Sequence, residues 1–136
     1  MQRFNKVAIT TEDGTSTLYI EDLKELYHSR NGALTESQFV YINEGLKYWS
    51  KASSVDKCRV LEIGYGTGLI AFLTYLNSSK IKKKIDYTSL EAYPISTRKL
   101  EQLNYNQLFK EKDSTQSFEE FSKLKWELNH QIAPNF

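Results

Sequence analysis

The sequence predicts an α/β protein in which a β-hairpin and a helix precede the first strands of a parallel sheet. Near the amino terminus, two β-prone segments, 7–10 and 16–20, flank Asp13-Gly14, and Asp-Gly between such segments is a strong hairpin signal. Further along, an apolar run ending at Ile63 leads into three closely spaced glycines and then a helical pattern at 68–76. A second strand and helix follow at 85–91 and about 94–103. Strand–helix succession of this kind is typical of a doubly wound α/β fold.

The composition fits one globular domain. The 136 residues are 40% hydrophobic and 26% charged, with a net charge of +1, which indicates no particular class of partner. Cys58 is the only cysteine, and His28 and His130 are the only histidines, so we expect neither a disulfide nor a metal site. No apolar run reaches the roughly 20 residues of a membrane span. The amino terminus lacks the apolar core of a secretory signal, so we expect a cytoplasmic protein that does not enter membranes. Composition leaves the oligomeric state open.

Between the hairpin and the first parallel strand, the pattern predicts a helix. Thr35 and Gln38 have the spacing of a capping box at its start. One apolar stripe follows at helical intervals, and its members are Phe39, Ile42, Leu46 and Trp49. We expect this stripe to pack into the core. Near the carboxyl terminus, Ser117 and Glu120 indicate a further helix start, followed by the stripe Phe118, Phe121, Leu124 and Leu128.

The pattern also predicts that the domain is partial. Residues 1–57 hold the hairpin and the helix, and residues 58–136 hold a cofactor-binding β-α-β-α portion. Doubly wound sheets have about five to seven strands, so two core strands leave the sheet incomplete. We therefore expect an exposed sheet edge and exposed apolar faces. The alternative is a minimal protein that completes its sheet by oligomerising.

The glycines carry the functional signal. Glu62-Ile63-Gly64-Tyr65-Gly66-Thr67-Gly68 reads E-x-G-x-G-x-G, with Leu69 where the dinucleotide fingerprint requires glycine. The motif instead favours the S-adenosylmethionine loop of Rossmann-like methyltransferases, with Glu62 accepting from the cofactor's ammonium. Glu91, at the carboxyl end of the next strand, is placed to accept hydrogen bonds from both ribose hydroxyls. The alternative for the glycine motif is a tight turn that binds no ligand, and the alternative for Glu91 is an acid on the surface at the end of a strand.

Several segments together resemble one enzyme family. They are Tyr27-His28-Ser29, Asn31 to Ser37, Phe39 to Ile42, Leu61 to Leu69 and Ser89 to Pro94, with the Asp13-Gly14 hairpin in front. This combination closely resembles the methyltransferase part of MnmC-like tRNA 5-methylaminomethyl-2-thiouridine biosynthesis enzymes and their stand-alone relatives. The resemblance runs from about Glu12 to Pro94. On physical grounds alone, His28 is expected to make a local hydrogen bond rather than to act as a catalyst.

The resemblance implies methyl transfer from S-adenosylmethionine to the 5-aminomethyl group of the tRNA wobble uridine, with tRNA as the partner of the complete protein. It implies no metal and identifies no catalytic residue. The implied cofactor-binding residues are Glu62, Gly64, Tyr65, Gly66, Thr67, Gly68, Glu91, Ala92, Asn31 and Glu36.

The chain departs from the family towards its carboxyl terminus. Relatives carry a downstream segment of the form Asp-x-x-x-Leu-Asp-x-Phe where the target amine is expected, and nothing from Glu111 to Phe136 matches it. The flavin-dependent oxidase sequence of the bifunctional proteins has no counterpart either, so no flavin is implied. Two alternatives therefore stand beside the tRNA enzyme. They are a small-molecule methyltransferase and a truncated, non-catalytic cofactor-binding module.

Overall fold

The computed structural model describes residues 4–109 and 117–136, which form two small sheets linked by a long helical stretch. The first sheet is antiparallel, in the order β1-β2-β3, and its strands are β1 (Lys6–Thr10), β2 (Ser16–Ile20) and β3 (Glu25–Leu26). β1 and β2 form the predicted hairpin, which is paired from Lys6 opposite Ile20 to Thr10 opposite Ser16. Gly14 supplies the left-handed turn residue, at φ 82°.

β3 has no clear signal in the sequence. It pairs with β2 through only two residues, Glu25 and Leu26, which is too short for a pattern of alternating side chains to be visible. The chain that follows β3 stays bonded to β2, because the Tyr27 amide donates to Leu18 O at 3.0 Å. This bond fixes the start of the segment Tyr27-His28-Ser29 against the hairpin.

Three helical segments follow one another without a break. They are α1 (Ala33–Glu36), a π-helical segment (Ser37–Lys47) and α2 (Tyr48–Ala52). The predicted capping box at Thr35 is wrong, because the helix already begins at Ala33 and Gly32 occupies the N-cap without a side-chain bond. The cap comes instead from the hairpin, where Asp13 Oδ2 accepts from the Thr35 amide at 2.8 Å.

The π-helical geometry also changes which side chains face the core. Ile42 and Leu46 are buried and Trp49 is half-buried, as expected for core residues, but Phe39 is 58% exposed. The prediction of Phe39 as a core residue is therefore wrong. A π-helix bonds residue i to i+5 and has a wider turn than an α-helix, so an apolar stripe drawn at α-helical intervals does not stay on one face.

The second sheet is parallel and consists of β4 (Lys57–Ile63) and β5 (Lys84–Leu90), connected through α3 (Leu69–Ser78). The strands pair in full register, from Lys57 opposite Lys84 to Ile63 opposite Leu90. α3 is buried along most of its length and packs against the π-helical segment. Phe72 of α3 lies at the centre of an aromatic cluster with Tyr75, Phe109, Phe118 and Phe121.

One face of this parallel sheet is uncovered in the described residues. Leu61, Ile63 and Leu90 are exposed and alternate with half-buried neighbours, and Ile63 is 74% exposed. Parallel sheets are normally covered on both faces, so this apolar surface is unusual for a fold of this class.

The remaining helices are short: α4 (Thr97–Leu100), α5 (Tyr105–Leu108) and α6 (Phe118–Ser122). The helix expected over 94–103 is thus reduced to a single turn. The capping box of Ser117 and Glu120 is confirmed, with the Glu120 amide donating to Ser117 Oγ at 3.2 Å. α6 ends at Ser122, so the prediction that Leu128 continues its buried stripe is wrong, and Leu128 is exposed. Residues 1–3, which belong to the segment used to exclude a secretory signal, lie outside the described residues. So do residues 111–116, the first part of the segment that lacks the family's acidic motif.

Candidate functional site

The glycine motif forms a left-handed turn between β4 and α3. Gly64, Gly66 and Gly68 have φ values of 87°, 56° and 78°, a region that other residues rarely adopt. The Gly64 amide donates to Leu90 O at 2.8 Å, which ties the turn to the end of the neighbouring strand. Gly68 is the N-cap of α3. The turn therefore has a backbone conformation that favours glycine at all three positions.

The three glycines leave different amounts of space. A β-carbon on Gly68 would lie 2.5 Å from the Tyr65 hydroxyl, and one on Gly66 would lie 3.0 Å from Cδ1 of Tyr27. Nothing lies within 4 Å of the corresponding position on Gly64. A side chain at Gly66 or Gly68 would thus press on a neighbouring tyrosine, whereas Gly64 faces open space where a ligand can approach the backbone.

Glu91 joins the turn to β5 from just beyond the end of that strand. Its Oε2 accepts from the Gly66 amide at 2.9 Å and its Oε1 accepts from the Tyr93 amide at 2.8 Å. An ionised carboxylate has about four acceptor sites, so each oxygen keeps capacity for one more donor. Glu91 therefore holds the turn in place and can still accept further hydrogen bonds.

Glu62 is the half-buried acid of the site, at the carboxyl end of β4. Its Oε2 accepts from Ser89 Oγ at 2.5 Å, while Oε1 is buried and makes no hydrogen bond within the described part of the chain. Burial raises the pKa of Glu62, the nearby hydroxyls of Ser89 and Tyr87 oppose that rise, and the negative charge of Glu91 adds to it. A buried carboxylate oxygen without a partner is costly, and a cation or hydrogen-bond donor would compensate for it.

A cleft of about 1030 Å³ runs past the glycine turn. Six of the predicted site residues line it, namely Glu62, Gly64, Tyr65, Gly66, Thr67 and Glu36. The other four do not. Gly68 is buried beneath Tyr65, Glu91 lies behind Gly66, and Asn31 and Ala92 are exposed outside the cleft.

The polar segment after β3 forms another part of the cleft wall. Thr17 Oγ1 lies 2.8 Å from His28 Nδ1, which agrees with the expectation of a local hydrogen bond. Burial lowers the pKa of His28, against an opposing effect from Glu36, so the ring is neutral near pH 7. Glu36 in turn accepts from the Ser29 amide at 2.8 Å. The Asn31 amide donates to Ser29 Oγ, so Asn31 stabilises this segment through its backbone.

Sequence reasoning missed three aromatic residues around the site. Tyr27 lies against Gly66, Tyr41 lines the cleft from the π-helical segment, and Trp126 packs edge-on against Tyr65 with ring centroids 5.2 Å apart. Tyr27 and Tyr41 fall within the family-like segments, so their positions carried a signal. Trp126 had none, because its contact depends on how the carboxyl-terminal segment folds back.

The described residues contain neither a membrane-spanning helix nor a group of side chains suited to a metal ion. No helix among them is long and apolar enough to cross a membrane. No group of three or more histidine, cysteine, aspartate or glutamate side chains within residues 4–109 and 117–136 is arranged to hold a metal ion.

Comparison with known proteins gives relatives over part of the chain. No protein-family model matches it. An uncharacterized protein of Methanocaldococcus jannaschii is 38% identical over 77 residues, which are 55% of this chain and 20% of that protein. The tRNA 5-methylaminomethyl-2-thiouridine biosynthesis bifunctional protein MnmC of Idiomarina loihiensis is 31% identical over 83 residues, which are 57% of this chain and 14% of that protein.

The crystal structure of MnmC2 from Aquifex aeolicus matches the fold. It superposes with a TM-score of 0.57 and 26% sequence identity over 70% of this chain. The matched part of this chain is MnmC-like. The chain spans 14% to 20% of the length of the two sequence relatives and 32% of MnmC2.

Proposed function

We propose that this chain is the cofactor-binding part of an MnmC-like, S-adenosylmethionine-dependent methyltransferase with a Rossmann-like fold. In the complete protein, the methyl group would pass to the 5-aminomethyl group of the wobble uridine of tRNA and give 5-methylaminomethyl(-2-thio)uridine. One observation carries the proposal. Two acids from neighbouring parallel strands, Glu62 and Glu91, flank a turn of three left-handed glycines, and one oxygen of Glu62 is buried without a partner. The likeness to MnmC and MnmC2 supports the choice of substrate.

The residues present fit S-adenosylmethionine. The unpaired Oε1 of Glu62 suits the ammonium group of the cofactor, and the remaining acceptor sites of Glu91 suit two ribose hydroxyls. The open space at Gly64 allows the ligand to approach the backbone. When bound, the cofactor supplies an electrophilic methyl group on its sulfonium.

The chain's own contribution is to position the reactants. Methyl transfer needs an unprotonated amine held in line with the methyl group, and fixed geometry alone lowers the barrier substantially. Glu91 accepts a hydrogen bond from the Gly66 amide and the Tyr27 ring packs against Gly66, so both contacts hold the turn before a ligand arrives. His28 stays neutral near pH 7 and therefore does not repel a cationic cofactor from the cleft wall.

Calorimetric titration with S-adenosylmethionine tests the proposal. We expect the wild-type chain to bind it with 1:1 stoichiometry and to show no heat with NADH at the same concentration. Asp22→Ala, at an exposed acid that does not line the cleft, is the matched control and should bind like the wild type. Absence of S-adenosylmethionine binding by the folded wild-type protein would refute the proposal.

A second candidate function is a cofactor-binding module without turnover. It is favoured by the sequence from Glu111 to Phe136, which lacks the family's downstream acidic motif. An anticodon stem-loop carrying 5-aminomethyluridine, incubated with the chain and methyl-labelled S-adenosylmethionine, separates the two. Incorporated label supports the enzyme, whereas binding without incorporation supports the module.

A further inference from the structure

The cleft extends beyond the glycine turn along a surface contributed by the first half of the chain. We call this surface the N-terminal wall and define it by Lys24, Arg30 and Tyr41, all of which line the cleft. Tyr41 comes from the π-helical segment and is 49% exposed. A tyrosine ring open to a cleft offers an aromatic face to a planar ligand, and π-helical segments are frequent at functional sites.

The wall also presents unpaired positive charge. Within the part of the chain that the structure describes, ion pairs join Lys57 to Asp86 and Lys123 to Glu119, and neither Lys24 nor Arg30 takes part in one. Three acids line the same cleft. Glu36 is bonded to the Ser29 amide and Glu62 to Ser89 Oγ, which leaves Glu25 beside Lys24. Two cations without an ion pair, on the same cleft as an exposed aromatic ring, suit a ligand with phosphates and bases.

The backbone at Lys24 gives a separate indication. Lys24 has φ 55°, a left-handed conformation that residues with a side chain rarely adopt. Its amide donates to Glu21 O at 3.3 Å in the turn before β3. Strained backbone persists where the surrounding structure imposes it, and such positions cluster at functional sites. Here the strained turn sets a lysine at the cleft.

We propose that the N-terminal wall receives single-stranded RNA, with Tyr41 stacking on an unpaired base while Lys24 and Arg30 contact phosphates. The inference rests on the proposed function, because the cleft then brings the RNA to the glycine turn. Unpaired loop bases are the usual targets of sequence-specific RNA recognition, since they are free to stack on aromatic side chains. The other basic cluster, Lys80 and Lys82 to Lys84, lies at the opposite end of β5 from the turn, where Lys83 Nζ bonds Ser53 O and Val55 O.

Fluorescence anisotropy with a labelled anticodon stem-loop RNA tests this surface. Tyr41→Ala should weaken binding about tenfold, as expected for the loss of one stacked base, and Tyr41→Phe should restore it because the phenyl ring also stacks. Tyr48→Ala is the matched control. Tyr48 is an exposed tyrosine just beyond the π-helical segment but lies outside the cleft, and its removal should leave binding unchanged. Lys24→Gln should lower the slope of log affinity against log salt by about 1.

The contradicting results are distinct. The proposal is overturned if the wild type does not bind the stem-loop, or if Tyr41→Ala and Tyr48→Ala have equal effects. It is also overturned if Tyr41→Ala weakens binding to a fully paired RNA duplex as much as binding to the loop. Titration of each variant with S-adenosylmethionine shows whether the glycine turn is intact. A wild type that binds RNA through Tyr41 but not S-adenosylmethionine would refute the proposed function and leave the RNA surface standing.

Discussion

Glu62 holds a negative charge where the fold gives it little compensation. One of its oxygens bonds Ser89 Oγ and the other is buried without a hydrogen bond in the described residues. Such a group destabilises the ligand-free protein, and stability lost at a binding site is commonly recovered when the ligand arrives. Removal of the charge on Glu62 should therefore raise the stability of the ligand-free chain and lower its affinity for the ligand.

Glu62→Gln should stabilise the ligand-free chain by about 0.5–2 kcal/mol at pH 7, because it removes the negative charge and keeps the shape of the side chain. The same substitution should weaken S-adenosylmethionine binding about tenfold or more, because the ammonium loses its counter-charge. Urea unfolding and calorimetric titration measure the two effects. A variant that is less stable and binds as well as the wild type would contradict this role for Glu62.

The same residue predicts a pH dependence. Because burial raises the pKa of Glu62 in the fold, its carboxylate takes up a proton above the ordinary value of 4.5. The folded state then favours the protonated form, so the destabilisation by Glu62 grows as the pH rises through the raised pKa and is absent below the unfolded value. S-adenosylmethionine affinity should fall as the pH drops through that raised pKa, and Glu62→Gln should flatten the profile. A profile unchanged by the substitution would assign the titration to another group.

Glu91 has two roles that can be separated by experiment. Glu91→Ala should weaken S-adenosylmethionine binding by about 1–3 kcal/mol through lost charge-assisted hydrogen bonds. It should also increase hydrogen exchange at the Gly66 amide in the ligand-free protein, because that amide donates to Glu91 Oε2. Glu91→Gln keeps one acceptor oxygen, so its affinity and its hydrogen exchange at Gly66 should lie between those of the wild type and Glu91→Ala. Unchanged exchange at Gly66 in Glu91→Ala would rule out the contact with the turn.

Gly66 is constrained by its neighbours as well as by the ligand. Gly66→Val should abolish S-adenosylmethionine binding, because a β-branched residue is strained at φ 56° and its β-carbon would press on the Tyr27 ring. The obstacle thus lies within the turn itself. Calorimetry measures the binding, with circular dichroism as the control for folding. Wild-type affinity in a folded variant would contradict the described turn.

At the scale of the elements, Asp13 connects the hairpin to the helical stretch. Its Oδ1 accepts from the Thr15 amide at 2.9 Å and its Oδ2 accepts from the Thr35 amide at 2.8 Å and from Thr35 Oγ1 at 2.9 Å. Burial alone would raise the pKa of Asp13, but the hydrogen bonds from Thr35 and Thr15 outweigh it and hold the pKa well below its usual range. A β-carbon on Gly32 would overlap this carboxylate, so Gly32 is needed to admit it.

Asp13→Ala should lower the free energy of unfolding by about 1–2 kcal/mol, since it removes the cap of the helix and the bond within the turn. Because the folded-state pKa is depressed, this stabilisation is present above the unfolded pKa near 4 and is lost as the pH falls below it. The stability difference between wild type and variant should therefore shrink in acid, which urea unfolding at pH 7 and pH 3 would measure. A constant difference would show that the carboxylate charge is not involved.

The elements could be predicted from sequence where short-range chemistry determines them. Asp13-Gly14 fixed the expected hairpin, the glycine motif fixed the turn, and Ser117 with Glu120 fixed the start of α6. The π-helical segment could not be predicted, because an apolar stripe is interpreted at α-helical intervals unless the structure is known. The Asp13 cap was missed for a similar reason: its acceptor lies in the hairpin, far from the helix in sequence, and only folding brings them together.

For the whole molecule, the site depends on two strands whose carboxyl ends meet. Glu62 and Glu91 could be predicted to lie near each other because neighbouring parallel strands end at one edge. Their hydrogen bonds could not be predicted, since these depend on side-chain positions in the folded turn. The exposed face carrying Leu61, Ile63 and Leu90 belongs to the same sheet, so the sheet that builds the site is covered on only one side in the described residues.

A crystal structure of the chain with S-adenosylmethionine would test the central claim most directly. We predict density for the cofactor over the glycine turn, with its ammonium within hydrogen-bonding distance of Glu62 Oε1 and its ribose hydroxyls at Glu91. Saturating ligand that leaves the turn empty, or that binds elsewhere with Glu62 Oε1 still unpaired, would contradict the account.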